Sequence, residues 1–313
     1  MDSNRENPNP LPGEPGLGPQ AEKAPSVPPH DTPGKLSPSS APAALNFSSG
    51  TGDLPSSTRF IPEDLRVPWG WSDLALLVLI GFLGLFLFGT IFAATLQKAG
   101  VSRAQLQHSM LYQGRVAIVA MVLLSVLLLV YLAAQMRLRF RSPILRTLRW
   151  QPLESGRVRP PLAYLGFIAG GFLLSIFVAL ASSLFTPKNK MPIEQYFHDR
   201  HTALLLLIMS VTLAPLFEET IFRGYLYPVV ARTFGIVPGV ILTGLLFGLM
   251  HASQLGGNLP QVALIVTVGI VFTAARAKTG NVLPGYLLHV SYNSFIAVAF
   301  LIASHGLRHM PPA

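Results

Sequence analysis

The chain has 313 residues, half of them hydrophobic and only 12% charged. Soluble domains carry about a quarter charged residues, so the composition excludes an ordinary soluble enzyme and points to a chain built for the bilayer. The formal net charge is +9, and the lack of cysteine excludes disulfides, thiolate metal sites and a cysteine nucleophile.

The charge is unevenly placed. Residues 1–65 hold four basic and eight acidic side chains. The rest of the chain holds 19 basic residues and six acids: Asp73, Glu154, Glu194, Asp199, Glu218 and Glu219. The arginines fall between apolar blocks, with no soluble basic domain to carry them. That pattern argues for membrane topology and against nucleic acid.

Residues 1–62 contain 13 of the 27 prolines, with much Ser, Gly and Asn. Such a segment cannot bury enough apolar surface to offset its ordering entropy, so 1–65 is expected to be a disordered Pro-rich tail. It lacks the basic start and apolar core of a signal peptide. Seven apolar blocks come next, at 71–97, 116–136, 162–185, 202–231, 234–253, 259–277 and 282–304. About 20 apolar residues cross a bilayer. The blocks are apolar nearly all round, as buried or lipid-facing helices are. The expected fold is all-α: a polytopic transmembrane helix bundle of about seven to eight spans. Residues 66–200 would form the N-terminal spans and 201–313 the catalytic transmembrane domain.

Between the second and third blocks, the segment RLRFRSPILRTLRWQPLESGRVRP carries seven arginines and one acid. Placing this loop, 137–160, on the cytoplasmic side also places the N-terminus there. Arg223, Arg232, Arg276 and Lys278 then fall toward the same side. The short loops suit the inner membrane of a prokaryotic cell.

The fourth block contains APLFEETIFRGYLYP. Ionisable groups in a span cost at least a few kcal/mol each, so an intramembrane acid is a functional hypothesis by default. Glu219 and Arg223 are four apart, share a helical face and can pair. Glu218 lies about 100° round the helix and cannot make the same contact. One carboxylate can therefore be a structural anion and the other a general base. The bland alternative is a charge network that only fixes helix packing.

Two more pairs share this spacing: Phe247 with His251 in FGLMH, and His289 with Asn293 in HVSYN. A lone helical His is more often a satisfied core residue than a catalyst. The weight comes from four proton-handling groups on three spans. Counting from a turn near Gly235 puts Glu218 and His251 at about the same depth, roughly 25 Å along neighbouring helices. A site of Glu218, His251, His289 and Asn293 suits peptide hydrolysis, with water activated by carboxylate and imidazole and an oxyanion held by imidazole and amide. A zinc site of Glu218, His251 and His289 is the alternative. HExxH is absent and Asn293 is a poor zinc ligand, so no cofactor is favoured. There is no GxSxG elbow and no pair of intramembrane aspartates.

These residues resemble a known family. EETIFR is similar to the EExxxR motif, FGLMH to FxxxH and HVSYN to HxxxN of the CAAX-protease and bacteriocin-processing (CPBP, or Abi) family, which includes the type II CAAX prenyl endopeptidases. The resemblance covers residues from about 200 to 303. It implies an α-helical intramembrane endopeptidase in which Glu218 and His251 activate water and His289 and Asn293 form the oxyanion hole. Glu219 and Arg223 would support that site, with Phe247 beside it. The implied partners are the lipid bilayer and a membrane protein or lipidated peptide as substrate; the oligomeric state is open. Members have been called metalloproteases on motif grounds, and a glutamate mechanism competes with that label. Two other readings stand beside the enzyme: a non-catalytic membrane scaffold or immunity protein of the same fold, and a proton-coupled transporter. A transporter is expected to show repeated halves with interrupted helices, and the chain has no internal repeat.

Overall fold

A computed structural model describes residues 61–153, 159–185, 192–197 and 199–308. Of the expected tail only 61–65 fall among the described residues, and of the Arg-rich loop only 154–158 fall outside them. Every regular element among the described residues is helical. In chain order these are α1 (Trp71–Lys98), α2 (Arg103–His108), α3 (Met110–Ala134), α4 (Ile144–Thr147) and α5 (Pro160–Ser183). Then come α6 (Arg200–Val211), α7 (Leu213–Glu219), α8 (Tyr227–Phe234), α9 (Ile236–Met250), α10 (Leu259–Thr279) and α11 (Leu283–Ala303). Two π-helical turns extend neighbouring helices: Gln135–Arg139 continues α3, and Thr220–Leu226 joins α7 to α8.

All seven apolar blocks are helical. Six of the resulting helices are long and apolar enough to cross a membrane. The exception is the fifth block, where α9 has 15 residues. At 1.5 Å per residue it is about 22 Å long, short of the roughly 30 Å hydrocarbon core. His251 is thus the C-cap of this short helix rather than a residue inside a span.

Local chemistry sets the helix ends. Proline occupies the first turn of α5, α10 and α11, where its missing N–H costs nothing. Asp199 caps α6 by accepting from the Thr202 amide at 2.8 Å. Gly235 (φ 102°) ends α8, and Gly280 (φ 64°) ends α10 in the left-handed region. The long fourth block breaks at Thr212, between α6 and α7. Pro215 explains the break, because it lacks an amide hydrogen and its ring clashes with the carbonyl four residues back, that of Val211.

The helices pack chiefly as α9 on α10, α5 on α11, α1 on α3 and α8 on α9. The α9–α10 contact is very close. Gly244 and Gly248, one turn apart, face α10. A Cβ on Gly248 would lie 2.8 Å from the Val266 amide nitrogen, and one on Gly244 would lie 2.6 Å from that of Ile270. This is the small-xxx-small solution to packing inside a bilayer, where hydrophobic burial does not distinguish helix from lipid. It places Phe247, which lies between the two glycines in sequence, among Phe222 and Phe272.

Residues 61–70, sequence-adjacent to the Pro-rich segment, pack tightly. Leu65 and Trp69 are buried. Asp64 pairs with the fully buried Arg276 at 2.7 Å, and Arg232 donates to the carbonyls of Val67 and Trp69 at 2.8 and 2.9 Å. The packed chain thus begins earlier than composition suggested. Proline content reports the entropy of a segment, and not the arginines waiting to grip it.

Widening Gly248 should force α9 and α10 apart. Gly248→Val is expected to destabilise the protein by about 1–3 kcal/mol, the usual cost of overpacking. Gly166→Ala, where a Cβ meets nothing within 4 Å, should be nearly neutral. Thermal unfolding in detergent compares the two.

Candidate active site

The site is built around Glu219. This residue ends α7, and its side chain is fully buried. Glu219 Oε1 accepts from Arg223 Nη1 at 2.8 Å, as the four-residue spacing predicted. The guanidinium is also fully buried. Two more of its five donors are used: Nη2 to the carbonyl of Gly269 at 2.9 Å and Nε to the Thr273 hydroxyl at 3.2 Å. Thr273 in turn donates to that same carbonyl. The cation sits 4.5 Å from the Phe247 ring centroid and 5.4 Å from that of Phe272, a desolvated cation–π arrangement. A buried pair repays its desolvation only when its hydrogen bonds are completed in this way.

His289 on α11 joins the same carboxylate. Its Nδ1 lies 3.1 Å from Glu219 Oε1. A carboxylate paired to arginine can only accept, so Nδ1 carries the proton and Nε2 is left for other work. Nε2 lies 3.8 Å from Glu218 Oε2, beyond a direct hydrogen bond. Glu218 is partly exposed, unlike Glu219. Its Oε2 accepts no hydrogen bond from the described residues. The two adjacent glutamates therefore differ in surroundings: Glu219 Oε1 is held in an ion pair and its Oε2 accepts no hydrogen bond from the described residues, while Glu218 has no ion pair with an arginine or lysine among them.

Glu219 Oε2 faces α11 at Gly285, where a Cβ would come within 2.6 Å of it. Gly269, Thr273 and Gly285 were not singled out from the sequence. Their parts are tertiary, and the only faint signal is that Gly269 and Thr273 are four apart.

The other two expected residues stand one step away. His251 Nδ1 lies 2.8 Å from the Phe247 carbonyl. A carbonyl only accepts, so Nδ1 donates and Nε2 is again left over. The Phe247 ring lies 4.8 Å from the His251 ring and 5.8 Å from that of His289, so it connects the two imidazoles. Asn293, one turn beyond His289, donates through Nδ2 to the Ser210 carbonyl at 2.6 Å, close to the α6–α7 break. A cavity of about 180 Å³ adjoins Asn293, lined by Ser210, Leu206, Leu207, Phe197 and Ile296 among others.

Among the described residues, no three His, Asp or Glu side chains are gathered so as to hold one metal ion. The bonds at Nδ1 leave Nε2 of His251 and of His289 open to a further partner.

Comparison with known proteins agrees with the motifs. Residues 200–295 match the family model for type II CAAX prenyl endopeptidase Rce1-like proteins, and all three motifs lie inside that stretch. An uncharacterised 24.3 kDa protein of Escherichia coli is 33% identical over 125 residues, which is 39% of this chain and 54% of the relative. A Bacillus subtilis protein named as a candidate membrane peptidase is 25% identical over 161 residues, 50% of this chain and 64% of its own. A Mycoplasma capricolum protein without an assigned function is 30% identical over 149 residues, 45% of this chain and 43% of its own. The chain thus spans about half the length of the curated relatives it matches. No solved structure matches it.

Removing Arg223 alone would leave Glu219 as an unpaired buried charge. Arg223→Met is expected to cost about 3–5 kcal/mol, read as lost folded yield on size-exclusion chromatography. Glu219→Gln combined with Arg223→Met should recover part of that yield.

Proposed function

We propose, from the match of residues 200–295 to the family model for Rce1-like type II CAAX prenyl endopeptidases, that this integral membrane protein is an intramembrane endopeptidase. Its substrate would be a peptide bond in a membrane-associated protein, including prenylated CAAX-type C-termini. The observation that carries the reading is the contrast between Glu219, whose Oε1 is held by Arg223 and His289, and Glu218, whose Oε2 stands 3.8 Å from His289 Nε2 and accepts no hydrogen bond from the described residues; Glu219 Oε2 also accepts none, but it is closed in against Gly285.

In this reading Glu218 is the general base. A water donates one hydrogen to Glu218 Oε2, about 2.8 Å away, and keeps the second for His251. As the water oxygen attacks the scissile carbonyl, Glu218 takes its proton and passes it across to Nε2. The imidazolium so formed keeps its Nδ1–H on Glu219, and its Nε2–H donates to the developing oxyanion. Asn293 has a second amide hydrogen for the same oxygen, since only one goes to Ser210. His251 Nε2 accepts the water's other hydrogen and orients its attack. When the tetrahedral intermediate collapses, the proton moves from His289 to the leaving amine. No step passes through a metal ion.

The arginine-rich segment 137–149 supports a cytoplasmic N-terminus, by the accumulation of Lys and Arg on that side, and the inner membrane of a prokaryote is the proposed location. A non-catalytic scaffold of the same fold would need Arg223 and Glu219 for packing. It would have no use for an unpaired Glu218 beside them.

The experiment is cleavage of membrane-anchored and prenylated peptides by the purified full chain in detergent. Glu218→Gln should lower kcat by about 10²- to 10⁴-fold, the usual worth of a general base, while the protein remains folded. Cleavage by wild type should survive chelation. Undiminished cleavage by Glu218→Gln would overturn the assignment of the base, and activity lost to chelator and restored by zinc would overturn the metal-free mechanism.

A further inference from the structure

The turn that carries Arg223 is held from outside the family-matched segment. Residues 220–226 form a π-helical turn, a geometry that is rare and occurs mostly at functional sites. Tyr225 lies in this turn, two residues after Arg223, and is fully buried. Both of its polar ends are bonded to the N-terminal half of the chain. Its hydroxyl donates to Gln135 Oε1 at 2.6 Å, and its carbonyl accepts from Trp69 Nε1 at 2.8 Å. The Trp69 and Tyr225 rings stack at 4.8 Å with 14° between their planes.

Gln135 is itself fixed. Its Nε2 donates to Asp73 Oδ1 and to the Tyr131 hydroxyl, each at 3.1 Å. Asp73 is buried, accepts from the Gly70 amide at 2.9 Å and pairs with Arg139. Gln135 opens the second π-helical turn of the protein. The Tyr225–Gln135 hydrogen bond therefore ties the two π turns together. Nothing in the hydrolytic mechanism uses Asp73, Gln135, Tyr225 or Trp69, yet they form a satisfied buried polar chain that ends two residues from Arg223. A buried chain of this kind fixes one arrangement where apolar packing would tolerate several.

We infer that Gln135 and Trp69 are positioning residues: through Tyr225 they hold the π turn in the register that keeps Arg223, while paired to Glu219, on the Gly269 carbonyl and Thr273 of α10. Relaxation of a π turn to an α turn takes up the extra residue and rotates the helix on its C-terminal side by about 100° relative to the helix on its N-terminal side. A four-residue pair survives in an α turn, so the change would draw the guanidinium, still paired to Glu219, off its α10 acceptors. The lock on the π turn stands without any assumption about activity; its importance for hydrolysis rests on the endopeptidase reading.

The test is hydrogen exchange by mass spectrometry on the full chain in detergent, comparing wild type, Tyr225→Phe, Gln135→Leu and the double variant. Each single change should speed exchange in residues 219–227 roughly tenfold, as expected for a buried hydrogen bond lost, with α10 unchanged. The double variant should exchange no faster than Gln135→Leu, because that change already removes the Tyr225–Gln135 bond along with the bonds to Asp73 and Tyr131. Exchange unchanged in 219–227, raised equally throughout the protein, or multiplied in the double variant would overturn the inference. Trp69→Phe, which keeps the stack and loses only the Nε1 bond, decides the matter in the same way if Gln135→Leu fails to fold. In parallel, Tyr225→Phe should lower kcat on a membrane-anchored peptide about tenfold with KM unchanged. Wild-type protein that cleaves no peptide would count against the endopeptidase reading, and the exchange result would still decide the lock.

Discussion

The structure depends on one buried ion pair. Arg223 and Glu219 are both withdrawn completely from solvent, inside a protein whose long helices are otherwise apolar. Two such charges are tolerable only if nearly every donor finds an acceptor. The demand reaches well beyond the pair. It fixes the Gly269 carbonyl and Thr273 on α10, the rings of Phe247 and Phe272, and His289 on α11. Close α9–α10 packing through Gly244 and Gly248 brings Phe247 against the guanidinium. The pair thus acts as the keystone for four helical elements, and His289 and Phe247 are arranged round it.

The same constraint separates the roles of the two adjacent glutamates. A carboxylate that must neutralise a buried arginine and orient an imidazole cannot also exchange protons with substrate. Its neighbour, turned about 100° round the helix, is released from that duty. Placing the two side by side gives one helical turn a fixed anion and, in the proposed mechanism, a working one. The π turn at 220–226 belongs to the same arrangement, since the register of Arg223 depends on it.

Much of this was legible in the sequence, and the illegible parts have physical causes. The apolar blocks were readable because the bilayer imposes length and composition. The Glu219–Arg223 contact was readable because four-residue spacing is local geometry. The Phe247–His251 and His289–Asn293 spacings place each pair on one helix face, by local geometry alone. They could not show that the Phe247 ring intervenes between the imidazoles, or that Asn293 would engage Ser210. Thr273, Gly269 and Gly285 were invisible, because a small residue in an apolar helix carries no sign of what approaches it. The π turns were hidden for a related reason: helices apolar all round have no face whose phase could slip. The short α9 was hidden inside an apolar block that ran on through the turn at His251. Trp69 and Asp64, so close to the Pro-rich stretch, looked like tail until Arg232, Arg276 and Tyr225 were seen to hold them.

The most direct test of this organisation is the protonation of the His289 ring, measured by ¹⁵N NMR on the full chain with ring-labelled histidine and assigned by difference against His289→Gln. An Nδ1 that carries hydrogen and an Nε2 that is bare in the resting protein are the expected result, because Glu219 accepts at Nδ1 and Glu218 stands off from Nε2. A bare Nδ1, with the proton on Nε2, would contradict the account: the ion pair would then not be orienting the imidazole.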